Sequence, residues 1–148
     1  MKLTRFTDYC LRVLIYLAAE PQRRATIAEI ALAFNISENH LTKVVHHLSK
    51  TGDISTVRGK GGGMELARAP QDIRIGQVVQ AAEGESMPAE CFSPDKHDCS
   101  IEQVCRLRGV LKEANQAFYN ALNGYTLAHL VSNKKALSQI LFMPRETA

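Results

Sequence analysis

The apolar residues near the start of the chain recur at the spacing of an amphipathic helix. Over residues 6–19 they fall three and four positions apart, and Pro21 lies just beyond them. The polar positions of this helix form its opposite face, and they are Thr7, Asp8 and Arg12. Asp8 and Arg12 are four residues apart, which allows them to form an ion pair. Cys10 falls on the apolar face, so we expect it to be a buried core thiol.

Two shorter helical patterns follow, and each begins with a residue suited to capping a helix. Thr26 and Glu29 have the spacing of a capping box, in which each side chain binds a backbone N–H group, and they open a helix over 27–34. Ser37 is a good N-cap for the next helix, over 38–50. Two short helices joined by so short a turn predict a helix-turn-helix.

Alternating apolar and polar residues at 54–57 and again at 64–67 predict two strands joined as a hairpin. The turn between them is basic and rich in glycine, which adopts positive φ angles easily and lets the backbone approach another surface. A helix-turn-helix followed by a hairpin with a basic tip is the layout of a winged helix. The sequence therefore predicts a mainly α fold with a small β-hairpin wing.

Beyond Pro70 the pattern is helical again, first over 73–82 and then in a longer stretch opened by Ser100, which has capping-box spacing. The apolar residues of the long stretch recur in heptads, and they are Val104, Leu107, Leu111, Ala114, Phe118, Ala121 and Tyr125. Small residues in such a seam let a partner helix approach closely. We expect this long helix to form a homodimer; the alternative is that it packs on its own domain.

The net charge of the chain changes sign at residue 70. Residues 1–70 carry a balance of +4 and residues 71–148 a balance of −1, within a total of +3. With 45% hydrophobic and 22% charged residues, the composition is that of a compact domain and not of a disordered chain. We therefore assign 1–70 to a winged helix-turn-helix DNA-binding domain and 71–148 to a region with a cysteine loop and a dimerisation helix.

The second helix of the helix-turn-helix carries the candidate base contacts. Asn39, His40 and Lys43 lie in its first turns, which enter the major groove in such proteins, where Asn suits adenine and Lys suits guanine. Ser37 can contact a phosphate while it caps the helix. The full set of candidate DNA contacts, which includes the wing tip, is Ser37, Asn39, His40, Thr42, Lys43, Arg58, Gly59 and Lys60. His46 and His47 are expected to form a solvated face.

Three of the four cysteines, Cys91, Cys99 and Cys105, lie close together, and an odd number cannot all pair as disulfides within the cluster. We find no signal peptide and no apolar run long enough to span a membrane, so we expect a reducing cytoplasm, where grouped thiols more often bind metal. Short Cys pairs typical of zinc are absent, whereas an iron–sulfur cluster tolerates wide spacing. The alternative is three reduced thiols. The candidates for a fourth ligand are Asp95, His97, Asp98 and, from elsewhere, Asp8.

Three features of the chain are typical of one known family: the segment Leu3-Thr4-Arg5-Phe6-Thr7-Asp8-Tyr9, the segment Val57-Arg58-Gly59-Lys60-Gly61-Gly62-Gly63, and the three cysteines. In these features the chain resembles the winged-helix iron–sulfur transcriptional regulators. The resemblance implies a dimeric repressor that binds a pseudo-palindromic site on double-stranded DNA and responds to nitric oxide. It also implies a cluster, 4Fe-4S in preference to 2Fe-2S, held by Cys91, Cys99 and Cys105 with Asp8 of the other subunit. Some relatives place a histidine ligand three residues after the third cysteine, where this chain has Arg108.

Two other functions are compatible with parts of the sequence, and a third is not. A regulator of the same fold could respond to iron or to cluster supply instead of nitric oxide. A small iron–sulfur electron carrier could use the same cysteines, but it has no need of a recognition helix and a basic wing. No nucleophile–base pair is readable and no Gly-Lys-Ser/Thr follows the glycine run, so we do not expect an enzyme or a nucleotide site.

Overall fold

The protein is described here from a computed structural model that covers residues 2–84, 88–93 and 99–143. Within these ranges the helices are α1 (Arg5–Ala19), α2 (Ile27–Phe34), α3 (Glu38–Thr51), α4 (Ile75–Glu83), α5 (Leu107–Asn123), α6 (Leu127–Leu130) and α7 (Lys134–Phe142). The strands β1 (Ile54–Val57) and β2 (Gly63–Leu66) form an antiparallel hairpin. The predicted fold, mainly α with a small β-hairpin wing, is confirmed.

The helix-turn-helix forms because its polar residues satisfy the ends of α2 and α3. The backbone N–H of Thr26 donates to the Glu29 carboxylate at 2.7 Å, and Thr26 Oγ1 accepts from the backbone N–H of Glu29 at 3.3 Å. Ser37 caps α3 by accepting from the backbone N–H of His40 at 3.4 Å. Asn35 ends α2 in the left-handed conformation, with φ of 53°. The predicted capping box and N-cap are confirmed.

Helix α1 is the centre of the hydrophobic core. It packs against α2 and α3 of the helix-turn-helix and against α4, α6 and α7 from the second half of the chain. Both halves contribute buried side chains to this core, among them Cys10, Leu14, Leu17, Leu41, Leu48, Val79 and Leu127. The core therefore continues across the boundary at residue 70, and the division into 1–70 and 71–148 stays a prediction.

The sequence predicts that Thr7 lies on the exposed polar face of α1. This prediction is wrong, because Thr7 is fully buried. Its hydroxyl donates to the carboxylate of Glu83 at the end of α4. A buried hydroxyl is tolerated where it has such an acceptor, and periodicity along α1 gives no sign of an acceptor so distant in sequence. Asp8 and Arg12 do lie on the outer face, and they form the expected ion pair at 2.9 Å.

Helix α5 begins later than the sequence predicts, at Leu107 instead of near Ser100. Residues Glu102–Val104 form a separate 3-10 turn, and Cys105 follows it with extended backbone at φ of −72° and ψ of 112°. That conformation interrupts the helical path, so the predicted heptads are not one continuous helix. Val104 consequently lies outside α5.

The predicted seam of α5 is divided between two environments. Phe118 of the seam packs against the core of its own chain, as does Leu122 beside it. Leu107 of the seam is 59% exposed, in contrast, and Val110, which lies outside the predicted seam, is 60% exposed. The alternative of packing on the same domain therefore holds for the second half of α5, while its first half presents an apolar surface to solvent.

The heptad pattern gives no indication of α6 and α7. Helix α5 ends at Asn123, and at the start of α6 the backbone N–H of Thr126 donates to Nδ1 of His129 at 3.0 Å. Helix α7 then returns to α1, where the rings of Tyr16 and Phe142 lie 4.8 Å apart between centroids. No helix within the described ranges has both the length and the apolar character required to cross a bilayer.

The burial of Cys10 predicts a difference in reactivity among the thiols. Burial, and to a smaller degree the charge of Asp53, raises the pKa of Cys10 to about 12. Since the thiolate is the reactive form, we expect iodoacetamide to modify Cys91, Cys99 and Cys105 in the folded, metal-free protein but to spare Cys10. Intact mass would show three adducts before denaturation and four after it. A fourth adduct formed by the folded protein at the rate of the others would contradict this assignment.

Candidate functional site

The outer surface of α3 is polar because its apolar residues all face α1 and the rest of the core. Leu41, Val44, Val45 and Leu48 are buried. The predicted base-contacting residues lie on the opposite surface and are exposed: Asn39, His40, Thr42 and Lys43. The first turns of α3 therefore offer an uninterrupted polar surface.

The polar side chains of α3 differ in whether they already have a partner. Nδ1 of His40 lies 2.9 Å from the Ser37 hydroxyl, and the Thr42 hydroxyl donates to the carbonyl oxygen of Glu38 at 2.9 Å. Asn39 and Lys43 make no side-chain hydrogen bond or ion pair within the described part of the chain. These two side chains, four residues apart on one surface, are the most available to a ligand.

Two aromatic contacts connect α3 to the first turns of α1. The ring of Phe6 meets the ring of His47 edge-on at 5.3 Å between centroids. The ring of Tyr9 lies 6.2 Å from that of His40. His47 is thus half-buried against α1, and its expected place on a solvated face is wrong, whereas His46 is exposed as expected.

The wing turn depends on glycine, at two positions because of backbone conformation and at a third because of space. Gly59 and Gly61 have φ of 93° and 73°, the left-handed region that favours glycine. A Cβ on Gly62 would lie 2.4 Å from the carbonyl oxygen of Val57. The glycine run therefore shapes a tight turn, and it leaves Arg58 and Lys60 exposed at its tip.

Other arginines hold the wing in place through ion pairs. Arg24 binds Glu65 of β2 at 2.9 Å, and Arg68 binds the buried carboxylate of Asp53. The charges of these arginines are therefore neutralised within the fold. Arg58 and Lys60 form no ion pair among the described residues, so the positive charge of the wing is concentrated at its tip.

The three clustered cysteines lie in short turns between α4 and α5. Cys91 belongs to a 3-10 turn at Glu90–Phe92, and Cys105 follows the turn that precedes α5; both are half-buried, and Cys99 is exposed. All three thiols are free. The other candidate ligands from this loop, Asp95, His97 and Asp98, lie outside the described residues.

Arg108 joins the two turns that carry Cys91 and Cys105. Its guanidinium lies over the ring of Phe92 at 5.6 Å, and it pairs with Glu102 at 3.5 Å. Arg108 therefore has a structural role at the position where some relatives have a histidine ligand. Sequence spacing alone gives no sign of this contact, because it depends on how the loop folds back.

The donor chemistry of this segment suits an iron–sulfur cluster, since free thiols become the thiolates that hold such clusters. Within the described ranges, no three His, Cys, Asp or Glu side chains are grouped closely enough to bind a metal ion. Asp8 lies on α1 and is paired with Arg12. The described residues of one chain therefore include suitable donors but do not bring three of them together.

A helix-turn-helix whose second helix exposes polar first turns, followed by a wing with a basic tip, defines a winged-helix transcriptional regulator. The family model described as an iron-dependent transcriptional regulator, Rrf2, matches residues 3–133. The chain belongs to the Rrf2 family of transcriptional regulators.

Relatives within this family are similar over almost the whole chain. The HTH-type transcriptional regulator NsrR of Bacillus subtilis (strain 168) is 47% identical over 144 residues, which are 97% of this chain and 99% of the relative. NsrR of Halalkalibacterium halodurans is 44% identical over 142 residues, which are 95% of this chain and 97% of the relative.

Solved structures support the same fold. CymR, the global cysteine regulator of B. subtilis, superposes with a TM-score of 0.65 at 28% identity, over 90% of this chain and 98% of that one. IscR from T. potens superposes with a TM-score of 0.72 over 98% of this chain and 93% of that one; at 24% identity this likeness concerns the fold alone.

The close fit at Gly62 predicts that an added methyl group disturbs the wing. We expect Gly62→Ala to lower the free energy of unfolding by about 1–2 kcal/mol and to speed amide exchange in the wing tip, because the Cβ would overlap backbone oxygen. Gly109→Ala is the control, since its Cβ would meet open space on α5, and it should stabilise the helix by roughly 0.5–1 kcal/mol. Urea unfolding measures both, and equal stabilities for the two variants would contradict the prediction.

Proposed function

We propose that this protein is a homodimeric repressor that binds a pseudo-palindromic site on double-stranded DNA and releases it in response to nitric oxide, through an iron–sulfur cluster. The observation that carries the proposal is the open polar surface of α3 beside a basic wing tip, in a chain 47% identical to NsrR of B. subtilis. The family and these relatives are transcriptional regulators, which supports a regulator and not an enzyme as the proposed protein.

The DNA contacts are assigned from the hydrogen-bonding groups and charges that each side chain has available. Asn39 and Lys43, which have no partner among the described residues, would read base edges in the major groove. Ser37 would contact a phosphate at the N-terminus of α3, where the helix dipole favours an anion. Arg58 and Lys60 would bind the DNA backbone or minor groove, and Gly59 lets the wing backbone approach it.

The exposed apolar surface of α5 supports a dimer of two copies of this chain. Leu107 and Val110 head this surface, and exposed alanines continue it along the helix, at Ala114, Ala117 and Ala121. Small side chains let a second α5 pack closely. A two-fold dimer would present its two α3 helices to successive major grooves if their spacing is about 34 Å, which accounts for a pseudo-palindromic site.

Cys91, Cys99 and Cys105 would hold the cluster, 4Fe-4S in preference to 2Fe-2S, with Asp8 of the other subunit as fourth ligand. When bound, the cluster would supply iron that nitric oxide can ligate, most readily where a carboxylate is the protein ligand. Asp8 would exchange its ion pair with Arg12 for that role. Because Asp8 lies between Phe6 and Tyr9, which both contact α3, a change at Asp8 acts on the recognition helix.

A second candidate is a regulator of the same fold that responds to iron or cluster supply. The description of the family model as an iron-dependent regulator favours it. Titration of DNA binding against nitric oxide, oxygen and an iron chelator separates the two, because only the first function requires release at stoichiometric nitric oxide in excess iron. An electron carrier would use the cysteines but leave α3 and the wing tip without a role.

The proposed role of Arg58 predicts a loss of affinity that does not depend on base sequence. We expect Arg58→Ala to weaken binding to operator and to unrelated DNA alike, and to reduce the salt slope by about one, because one phosphate contact is lost. Fluorescence anisotropy over a series of salt concentrations measures both. Lys135→Ala, which removes a similar charge from α7, is the control; identical behaviour of the two variants would argue against wing contacts.

The proposed ligand set predicts different effects for a thiol and for the carboxylate. After anaerobic reconstitution, we expect Cys99→Ala to lack the visible absorbance of the cluster and Asp8→Ala to keep an altered, more labile cluster, because a carboxylate is the weaker ligand. Cys10→Ala is the control and should retain the full spectrum. Native mass spectrometry reports cluster type and dimer state together. Full iron content in Cys99→Ala, or an unchanged Asp8→Ala, would contradict the set.

A further inference from the structure

We infer that Glu83 is a positioning residue for the DNA-recognition helix, which it orients by holding the N-terminal turn of α1. The inference rests on the proposed function for what α3 does. It concerns a residue at the end of α4 whose side chain accepts its hydrogen bonds from Thr4 and Thr7 and that lies outside the predicted sets of DNA and cluster contacts.

One carboxylate oxygen of Glu83 accepts three hydrogen bonds from the start of α1. The backbone N–H of Thr4 donates to Oε1 at 2.8 Å and the Thr4 hydroxyl donates to it at 3.0 Å, and the Thr7 hydroxyl donates to the same atom. Thr4 is also the N-cap of α1, since its hydroxyl oxygen accepts from the backbone N–H of Thr7 at 3.2 Å. Glu83 therefore binds the cap and the first turn together.

The charge of Glu83 strengthens this contact. Partial burial raises the pKa of Glu83, but the hydrogen bonds from Thr7 and Thr4 outweigh it and hold the pKa below its ordinary value. The group is thus a carboxylate at neutral pH. It lies at the N-terminus of α1, whose dipole favours negative charge, and these contacts offset the unfavourable dipole of α4, which ends at Glu83. Thr7 is fully buried, so its hydroxyl has no water to replace this acceptor.

The turn that Glu83 holds is the one that contacts α3. Phe6 lies between Thr4 and Thr7 and packs on His47 of α3. Tyr9 follows in the same helix and packs on His40, whose Nδ1 lies 2.9 Å from the hydroxyl of the N-cap, Ser37. A shift of the first turn of α1 consequently reaches both the start and the middle of the recognition helix.

Glu83 is also the residue at which the chain leaves α4 for the cysteine segment. Gly84 ends the helix with φ of 61° and ψ of −139°, and Cys91 lies eight residues after Glu83. The cysteine segment is therefore joined covalently, through Gly84, to the residue that holds α1. This covalent connection gives the cysteine segment a route to α3 within one chain, in addition to any contact made by Asp8.

The test removes either the acceptor, the Glu83 carboxylate, or the buried donor, the Thr7 hydroxyl. It then measures the environment of the histidine rings of α3. Glu83→Gln removes the charge, and Thr7→Val replaces the hydroxyl by a methyl group of similar shape. Thr7→Ser restores the donor, and Glu20→Gln removes a carboxylate from the other end of α1 as the matched control. The first measurement is the NMR of the histidine ring protons in the metal-free protein, because the rings of Phe6 and Tyr9 shift the signals of His47 and His40.

We expect Glu83→Gln and Thr7→Val to move the His47 and His40 signals, while Thr7→Ser and Glu20→Gln leave them near the wild-type positions. The second measurement is the ratio of the DNA affinity with reconstituted cluster to the affinity without it. We expect this ratio to fall about fivefold or more in Glu83→Gln and Thr7→Val only. Unmoved ring signals, or an unchanged ratio in both variants, would overturn the role of Glu83. A wild-type ratio of one would instead overturn the proposed function, and this role with it.

Discussion

The packing of α1 through the middle of the molecule is the constraint on which the other elements depend. Val13, Leu14 and Leu17 are buried on this helix, and each such aliphatic side chain contributes roughly 1.5–3 kcal/mol when it is removed from water. Helices α3, α4, α6 and α7 all pack on it. A displacement of α1 therefore cannot be absorbed locally, because close-packed side chains transmit it to the helices on every side.

Apolar burial alone would leave the rotation and axial position of α1 poorly defined, because the hydrophobic effect has no direction. Polar and aromatic contacts at its two ends supply that direction. At the N-terminus, Thr4 and Thr7 donate to Glu83; at the C-terminus, the ring of Tyr16 packs on Phe142 of α7. Both contacts join α1 to residues from the second half of the chain, so that half orients the helix-turn-helix as well as covering it.

The sequence predicts the local features of the fold well and the contacts between distant residues poorly. Caps at Thr26 and Ser37 and the glycine turn of the wing depend on neighbouring residues, and all are confirmed. The burial of Thr7 depends on an acceptor 76 positions away, and no periodic pattern contains that information. The late start of α5 is a local feature that the sequence predicts wrongly, because a 3-10 turn and extended backbone at Cys105 follow the capping-box spacing. The exposed surface of α3 was predictable because exposure follows from helical periodicity.

The cysteine segment differs from the wing because its local sequence does not fix the positions of its thiols relative to one another. The turns that carry Cys91 and Cys105 are joined by Arg108, yet they form no metal-sized group of donors within the described chain. A site completed by Asp8 of a second copy would explain this, because its geometry would then be set by the dimer. Asp8 occupies the same turn of α1 as Thr7. A cluster bound by Asp8 and the Glu83 carboxylate bound by Thr7 would therefore both act on this turn. The proposed sensor therefore acts by changing how the first turn of α1 is held, and Phe6 and Tyr9 pass that change to α3.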